Sequence, residues 1–223
     1  ADFMCLVLGR QRQAAPYAIR FSEQETRRER DPLCLEALAL KREFETLPDM
    51  PVFVNLRESQ LGILGEPELC RAVLSNYLFR LCFFQSYRDL SIILLCRAAD
   101  STLRRAFSWC PQFEGKDFRC SGILSHTQEA ETVLGGLLQQ IKERKRKAGE
   151  EKKSGYFLPQ YLLVAEDASL LAGHSLLSYL DETSPELGIS LIYCAERREQ
   201  LPESVKTIVS VEGGGEGLLC LRN

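Results

Sequence analysis

Short runs of apolar residues alternate along this chain with longer stretches of helical spacing. Ser91-Ile92-Ile93-Leu94-Leu95-Cys96, Tyr161-Leu162-Leu163-Val164-Ala165 and Ile189 to Ala195 are apolar almost without a break. Continuous runs of this kind predict strands buried on both faces of a parallel sheet. Leu69, Val73, Tyr77, Leu81 and Phe84 share one face of a predicted helix over 67–85, widened by Leu74, Leu78 and Cys82. The same spacing predicts a helix over 32–47, ended by Pro48 and Pro51. It predicts a third over 127–147 with Ala130, Val133, Leu134, Leu137, Leu138 and Ile141 inward, and shorter ones over 101–107 and 170–180.

Phe3 to Leu8 reads as a strand, with Tyr17 to Phe21 as its partner. Val52 to Leu56 and Leu61 to Leu64 read as a hairpin across Arg57-Glu58-Ser59-Gln60. Gly122 to Ser125, Ile208 to Val211 and Leu218 to Leu221 read as short strands, the last two joined by a glycine-rich turn at 213–217 between edge strands. Gln24 to Arg30 reads as a charged surface turn and Ala148 to Gly155 as a mobile loop. Strands alternating with helices imply an α/β fold, a mostly parallel central sheet with helices on both faces. The expected organisation is one domain over 1–223, with an N-terminal strand-and-helix extension over 1–50 and the core over 51–223.

Composition narrows the function classes. The 223 residues are 45% apolar and 26% charged, enough for one full core. A net charge of -3 supplies no global basic field, so a nucleic-acid partner is not expected. No apolar run is long enough to cross a bilayer, so direct membrane insertion is not expected either. No signal peptide is evident, and the start at Ala1-Asp2-Phe3 reads as a piece of a longer protein. Nine cysteines, none closer than ten residues apart, contain no CxxC; they read as free thiols in a reducing compartment. His126 and His174 have no ligand-spaced partners, so no metal site is expected.

Three places could carry chemistry. A working phosphate-binding loop reads G-x-x-x-x-G-K-[S/T] between a strand and a helix. Counted from Gly65, its second glycine falls on Cys70, its lysine on Arg71 and its hydroxyl residue on Ala72. Pro67 removes an N–H from the phosphate cradle, and Ala72 has no oxygen for Mg²⁺. Glu66 and Glu68 put carboxylates where the anion would lie, and like charges ~4 Å apart repel by about 4 kcal/mol at an effective dielectric near 20. These residues also suit an ordinary helix start, where proline and acids are favoured. The second place is Glu166-Asp167, which ends an apolar strand; it reads as an acid pair for Mg²⁺ and water, or as helix capping. The third is the strand end at Ala195-Glu196, where a polar sensor of the γ-phosphate would stand.

Those three segments, in that order, resemble the FtsK/SpoIIIE/HerA class of ring ATPases. Within it the chain resembles the EssC-type membrane-anchored ATPases of type VII secretion systems, and in particular their first, degenerate FtsK-type domain. Asp31-Pro32-Leu33, Phe44 to Leu47, Pro51 to Leu56, Leu61 to Gly65, Ser86-Tyr87-Arg88-Asp89, Trp109-Cys110-Pro111 and Leu187 to Ser190 carry the likeness with Gly188 to Arg198. The resemblance implies a RecA-like three-layer core at the cytoplasmic face of the bacterial membrane. It implies partners in neighbouring ATPase domains, the membrane segment and other secretion-system subunits, with a homo-oligomer in the full-length setting.

The expected function is a non-hydrolysing pseudo-ATPase domain, not itself an enzyme, with no cofactor, linking membrane segment to motor domains. The degenerate positions are Gly65, Glu66, Pro67, Cys70, Arg71, Ala72, Glu166, Asp167, Ala195 and Glu196. One alternative is an ATP- and Mg-binding, weakly active domain using Arg71, Glu166 and Asp167. Another is a DNA-binding, translocase-like module. The basic run Lys142 to Lys147 with Lys152-Lys153 reads as lipid- or nucleic-acid-binding, or as a solvated helix end. Trp109 and Phe113 read as anchors for a neighbour, or as packing within their own domain.

Overall fold

The computed structural model describes residues 3–20, 32–97, 101–115, 121–151, 157–183, 187–213 and 217–221. The expected turn at Gln24 to Arg30, together with Asp31, Lys152 to Gly155 and Gly214 to Glu216, lies outside them. The chain falls into two compact units, one formed by Ala1–Leu6 with Val54–Asn223, the other by Val7–Phe53.

Most of the smaller unit is made by β1 (Cys5–Ala14), α1 (Pro32–Phe44) and β2 (Thr46–Asn55), with β1 and β2 paired as a two-stranded sheet. Two expectations fail here. Tyr17 to Arg20 are not a strand, and β1 pairs with β2. The helix stops at Phe44, and Pro48 and Pro51 lie inside β2 instead of ending a helix. A two-stranded sheet leaves each strand an open edge, where a proline's missing N–H breaks no ladder bond.

The larger unit contains β3 (Gln60–Leu64), α2 (Pro67–Phe84), β4 (Leu90–Leu95), α3 (Thr102–Phe107), β5 (Ile123–Leu124), α4 (Thr127–Glu151), β6 (Gln160–Ala165), α5 (Leu176–Thr183), β7 (Ile189–Ala195), β8 (Val205–Val211) and β9 (Gly217–Leu221). Its seven-stranded sheet has the order β5-β4-β6-β7-β3-β8-β9. All neighbours are parallel except β8 and β9, which pair antiparallel. The α/β fold with a mostly parallel sheet is thus as the sequence implied.

The expected hairpin between 52–56 and 61–64 is overturned. β3 lies between β7 and β8, parallel to both, and β2 pairs elsewhere. A tight turn at Asn55, whose side chain accepts from Arg57 N at 3.1 Å, redirects the chain between them. β3 reads Gln-Leu-Gly-Ile-Leu and is buried at every position before its last, which demands neighbours on both sides. At Gly62 a Cβ would stand 2.9 Å from Val205 and 3.0 Å from Leu201, so glycine admits the β8 layer.

Alternate residues of the strands serve two cores. Ile93, Leu95, Leu163, Leu191 and Tyr193 pack with Leu134, Leu137 and Ile141 of α4 and Leu176 and Leu180 of α5. Their sequence neighbours Ile92, Leu94, Leu162, Val164 and Ile192 point to the other face and are equally buried. That is the face of α2, which buries Cys70, Leu74, Tyr77, Leu78 and Leu81. Helices therefore cover both faces. α4 continues to Glu151, so the expected loop begins as helix, and the predicted helix over 170–180 splits into a 3-10 turn at Ala168–Leu170 and α5.

Candidate functional site

β3, β6 and β7 are neighbours, so their C-terminal ends bring the three suspect segments together at one edge of the sheet. β3 ends at Leu64 and α2 begins at Pro67, leaving Gly65 and Glu66 as the whole connection. In a phosphate-binding loop four residues separate the two glycines. Here those positions include Pro67, Glu68 and Leu69, and all three are already helix. The Gly65 N–H, which could have faced an anion, donates to Ala195 O at 3.1 Å. Gly65 itself is required: its φ is +155°, and a Cβ there would lie 2.7 Å from Val211 O. Pro67 takes the first turn of α2, and Glu66 caps it through the backbone without a side-chain bond.

One turn into the helix, Arg71 reaches across to the end of β6. Its Nε donates to Glu166 Oε1 at 2.7 Å. Glu166 is buried, and its second oxygen accepts from Arg97 N at 3.4 Å. The bond to Glu166 raises Arg71 above the ordinary guanidinium value against the cost of burial, with the charges of Glu166 and Glu68 adding to it. Glu66, Glu68 and Ala72 are all exposed. The carboxylate opposite the cation thus comes from β6, not from the start of α2.

Asp167 turns away from this pair. Its Oδ1 accepts from Ser169 N at 3.0 Å and Ser169 Oγ at 2.7 Å, capping the adjoining 3-10 turn. Ala195 ends β7, and the N–H of Glu196 donates to Gln200 Oε1 at 3.1 Å. Glu196 stands 4.0 Å from the Arg97 guanidinium, an exposed pair of small worth.

Gly65, Pro67, Cys70, Arg97, Glu166 and Cys194 line what remains of the cleft, about 20 Å³. That is room for about one water, where ~10–15 Å³ is needed. Cys70 and Cys194 stand in its walls, and Cys96 lies beside Glu166. Burial, then the charge of Glu196, raises the Cys70 thiol to about 11. Burial, then Glu166, raises Cys96 to about 12. Burial also pushes Cys194 up. These are protonated at neutral pH and poor ligands or nucleophiles. In this set the cation is engaged by a carboxylate, no hydroxyl stands at position 72, and the residues from Pro67 onward are helix. Arg97 and Cys194 were not read as site residues in the sequence, although their positions at the ends of parallel strands could have drawn attention to them.

Elsewhere the described cysteines 5, 70, 82, 96, 110 and 194 are free. Among the described residues no cluster of His, Cys, Asp or Glu is arranged to hold a metal, and no helix is long and apolar enough to cross a membrane. The pair Trp109 and Phe113 divides. Phe113 is buried against Phe107 with ring centroids 5.7 Å apart, while Trp109 is exposed. In the basic run, Arg144 is buried and donates to the carbonyls of Leu187, Gly188 and Pro159, whereas Lys142 and Lys145 flank the Tyr179 ring.

Comparison with known proteins places this edge in context. No family model matches the chain. It is 25% identical over 224 residues to the ESX secretion system protein EccC of Geobacillus thermodenitrificans, covering 100% of this chain and 15% of that protein. It is 28% identical over 217 residues to YukB of Bacillus subtilis, covering 97% and 14%. It is 28% identical over 221 residues to the type VII secretion system protein EssC of Staphylococcus aureus, covering 98% and 15%. The chain thus spans about a seventh of the length of these relatives. Among solved structures, the second and third ATPase domains of Geobacillus thermodenitrificans EssC match with TM-score 0.56 at 14% identity, covering 78% of this chain and 36% of that one. The cytoplasmic domain of Thermomonospora curvata EccC matches with TM-score 0.53 at 14% identity, covering 73% and 22%. The expected resemblance to EssC-type secretion ATPases holds along the whole chain, and the structural matches bear out the RecA-like ATPase fold.

Proposed function

We propose that this chain is a non-hydrolysing pseudo-ATPase domain of a type VII secretion ATPase, corresponding to the first, degenerate domain of the tandem. It works as a structural and regulatory link between a membrane segment and downstream motor domains, at the cytoplasmic face of the membrane. Its partners are those neighbouring domains and other secretion-system subunits.

The observation that carries this reading is the Arg71–Glu166 pair at 2.7 Å. In an active site of this fold the corresponding cation and acid are held apart by nucleotide and Mg²⁺. Here they meet directly, and the protein supplies the anion that the phosphate would have supplied. The small cleft and the helical loop point the same way. Titration calorimetry of the chain with Mg-ATP tests it. We expect no binding heat at micromolar concentrations. Saturable binding that disappears in Arg71→Ala would overturn the proposal and favour an ATP-binding domain.

A further inference from the structure

Cys82 and Cys110 belong to different elements and meet at one place. Cys82 sits in the last turn of α2, and Cys110 heads the 3-10 turn Pro111–Phe113. Their thiols share a hydrogen bond. A separate set of bonds docks the turn onto the helix. Gln112 Nε2 donates to Cys82 O at 3.0 Å and to Gln85 O at 2.9 Å. The Cys110 N–H donates to Phe107 O and the Phe113 N–H donates to Cys110 O, each at 3.0 Å. Phe113 is buried against Phe107. Both backbones are therefore held in place by contacts that do not involve the sulfurs, and closely held backbones are what a disulfide requires. Both cysteines are half-buried, whereas Cys70, Cys96 and Cys194 are buried. A small reagent in solution reaches this pair more readily than those three.

We infer that Cys82 and Cys110 are a thiol pair that a hydroperoxide closes to a disulfide, pinning the 3-10 turn to the end of α2. Burial, then the charge of Cys110 and the hydrogen bond with it, raises the Cys82 thiol to about 12. Cys82 thus keeps its proton at neutral pH, and the first attack falls to Cys110. Having lost its proton to water, the Cys110 thiolate attacks one oxygen of hydrogen peroxide. An S–O bond forms, the O–O bond breaks, and the released hydroxide takes up a proton and leaves as water. The product is a sulfenic acid on Cys110. Cys82 Sγ then attacks the sulfenic sulfur. The S–S bond forms, the S–O bond breaks, and the departing hydroxide carries off the Cys82 proton as a second water. Both sulfurs are oxidised and both peroxide oxygens are reduced. In a reducing compartment a bond of this kind is transient, reopened by thiol exchange, and serves as a sensor. It also closes a loop between two elements, which stabilises the fold by restricting the unfolded chain.

Trp109 adjoins Cys110 and is the only tryptophan, and a disulfide quenches an indole beside it. The test treats the reduced chain with near-equimolar hydrogen peroxide, alkylates the remaining thiols and maps the peptides without reduction. We expect a peptide pair joined through Cys82 and Cys110, a fall in Trp109 emission and a higher urea midpoint, all reversed by dithiothreitol. Cys110→Ser loses all three. Cys82→Ser, treated with dimedone present, collects the sulfenic-acid adduct on Cys110. Cys82 and Cys110 both still open to alkylation after peroxide, cross-links that join either one to another cysteine, or a urea midpoint that the bond does not move would overturn the inference. The mapping of the parent chain needs no variant to fold, and none of these readings depends on nucleotide binding.

Discussion

Arg71 and Glu166 differ in exposure, so losing one is not equivalent to losing the other. Arg71 is partly solvated and Glu166 is buried. Arg71→Met leaves a carboxylate in a thiol-lined cleft without its cation, at a cost of about 2–3 kcal/mol. Glu166→Gln keeps an acceptor for Arg71 and costs about 1 kcal/mol. The double variant is more stable than Arg71→Met alone, since it removes the stranded charge. Urea denaturation measures all three, and a neutral Arg71→Met would mean the pair does not hold the joint. The buried thiols give a pH prediction. Cys70 rises from 9.0 to about 11 and Cys96 from 9.0 to about 12 on folding. An acid whose folded value lies above its unfolded one stabilises the protein fully below the unfolded value and loses that contribution as pH climbs through the folded value. Stability therefore falls between pH 9.0 and about 11–12; Cys82 and Tyr77, which burial raises to about 12, share in that fall, and replacing Cys70 and Cys96 by alanine makes it shallower. A urea midpoint that stays flat across that interval in the parent chain would contradict it. The sequence displayed Arg71 and Glu166 as members of two degenerate motifs. It could not display their bond, because 95 residues separate them and only the order β6-β7-β3 makes them face each other.

α2 tests the same physics over a whole element. Leu78 is fully buried beneath the sheet and its neighbour Phe79 is exposed. Leu78→Ala should cost about 3 kcal/mol, while Phe79→Ala should stay within about 0.5 kcal/mol. Equal losses in thermal melts would mean that α2 is packed differently. Elements with one dominant signal were legible beforehand. β4, β6 and β7 are continuous apolar runs, and α2 repeats its apolar residues over five turns. Elements whose partner decides their state were not. β2 contains two prolines that read as breakers, yet as a strand with an open edge it tolerates them, and the carbonyl of Pro51 even accepts from Gln13 Nε2 at 3.4 Å. The hairpin failed for the same reason: a four-residue gap permits one, but pairing goes to the strands that bury β3 on both sides.

For the whole molecule, nucleotide linkage is the measurable quantity. A ligand present at 100 times its dissociation constant adds about 2.7 kcal/mol to stability. Millimolar Mg-ATP or Mg-ADP should leave the melting midpoint of this chain where it was, and a clear upward shift would sink the pseudo-ATPase reading. The α/β class was legible from the alternation of runs. The sequence already set the three altered segments together as corners of one expected nucleotide site. What it could not display is that α2 and the end of β6 are joined there by the protein's own ion pair. A joint closed by two side chains needs no supply from metabolism. In the proposed role, this domain offers its neighbours the same geometry in a starved cell and a growing one, a fixed reference against which domains that track cellular energy charge can move.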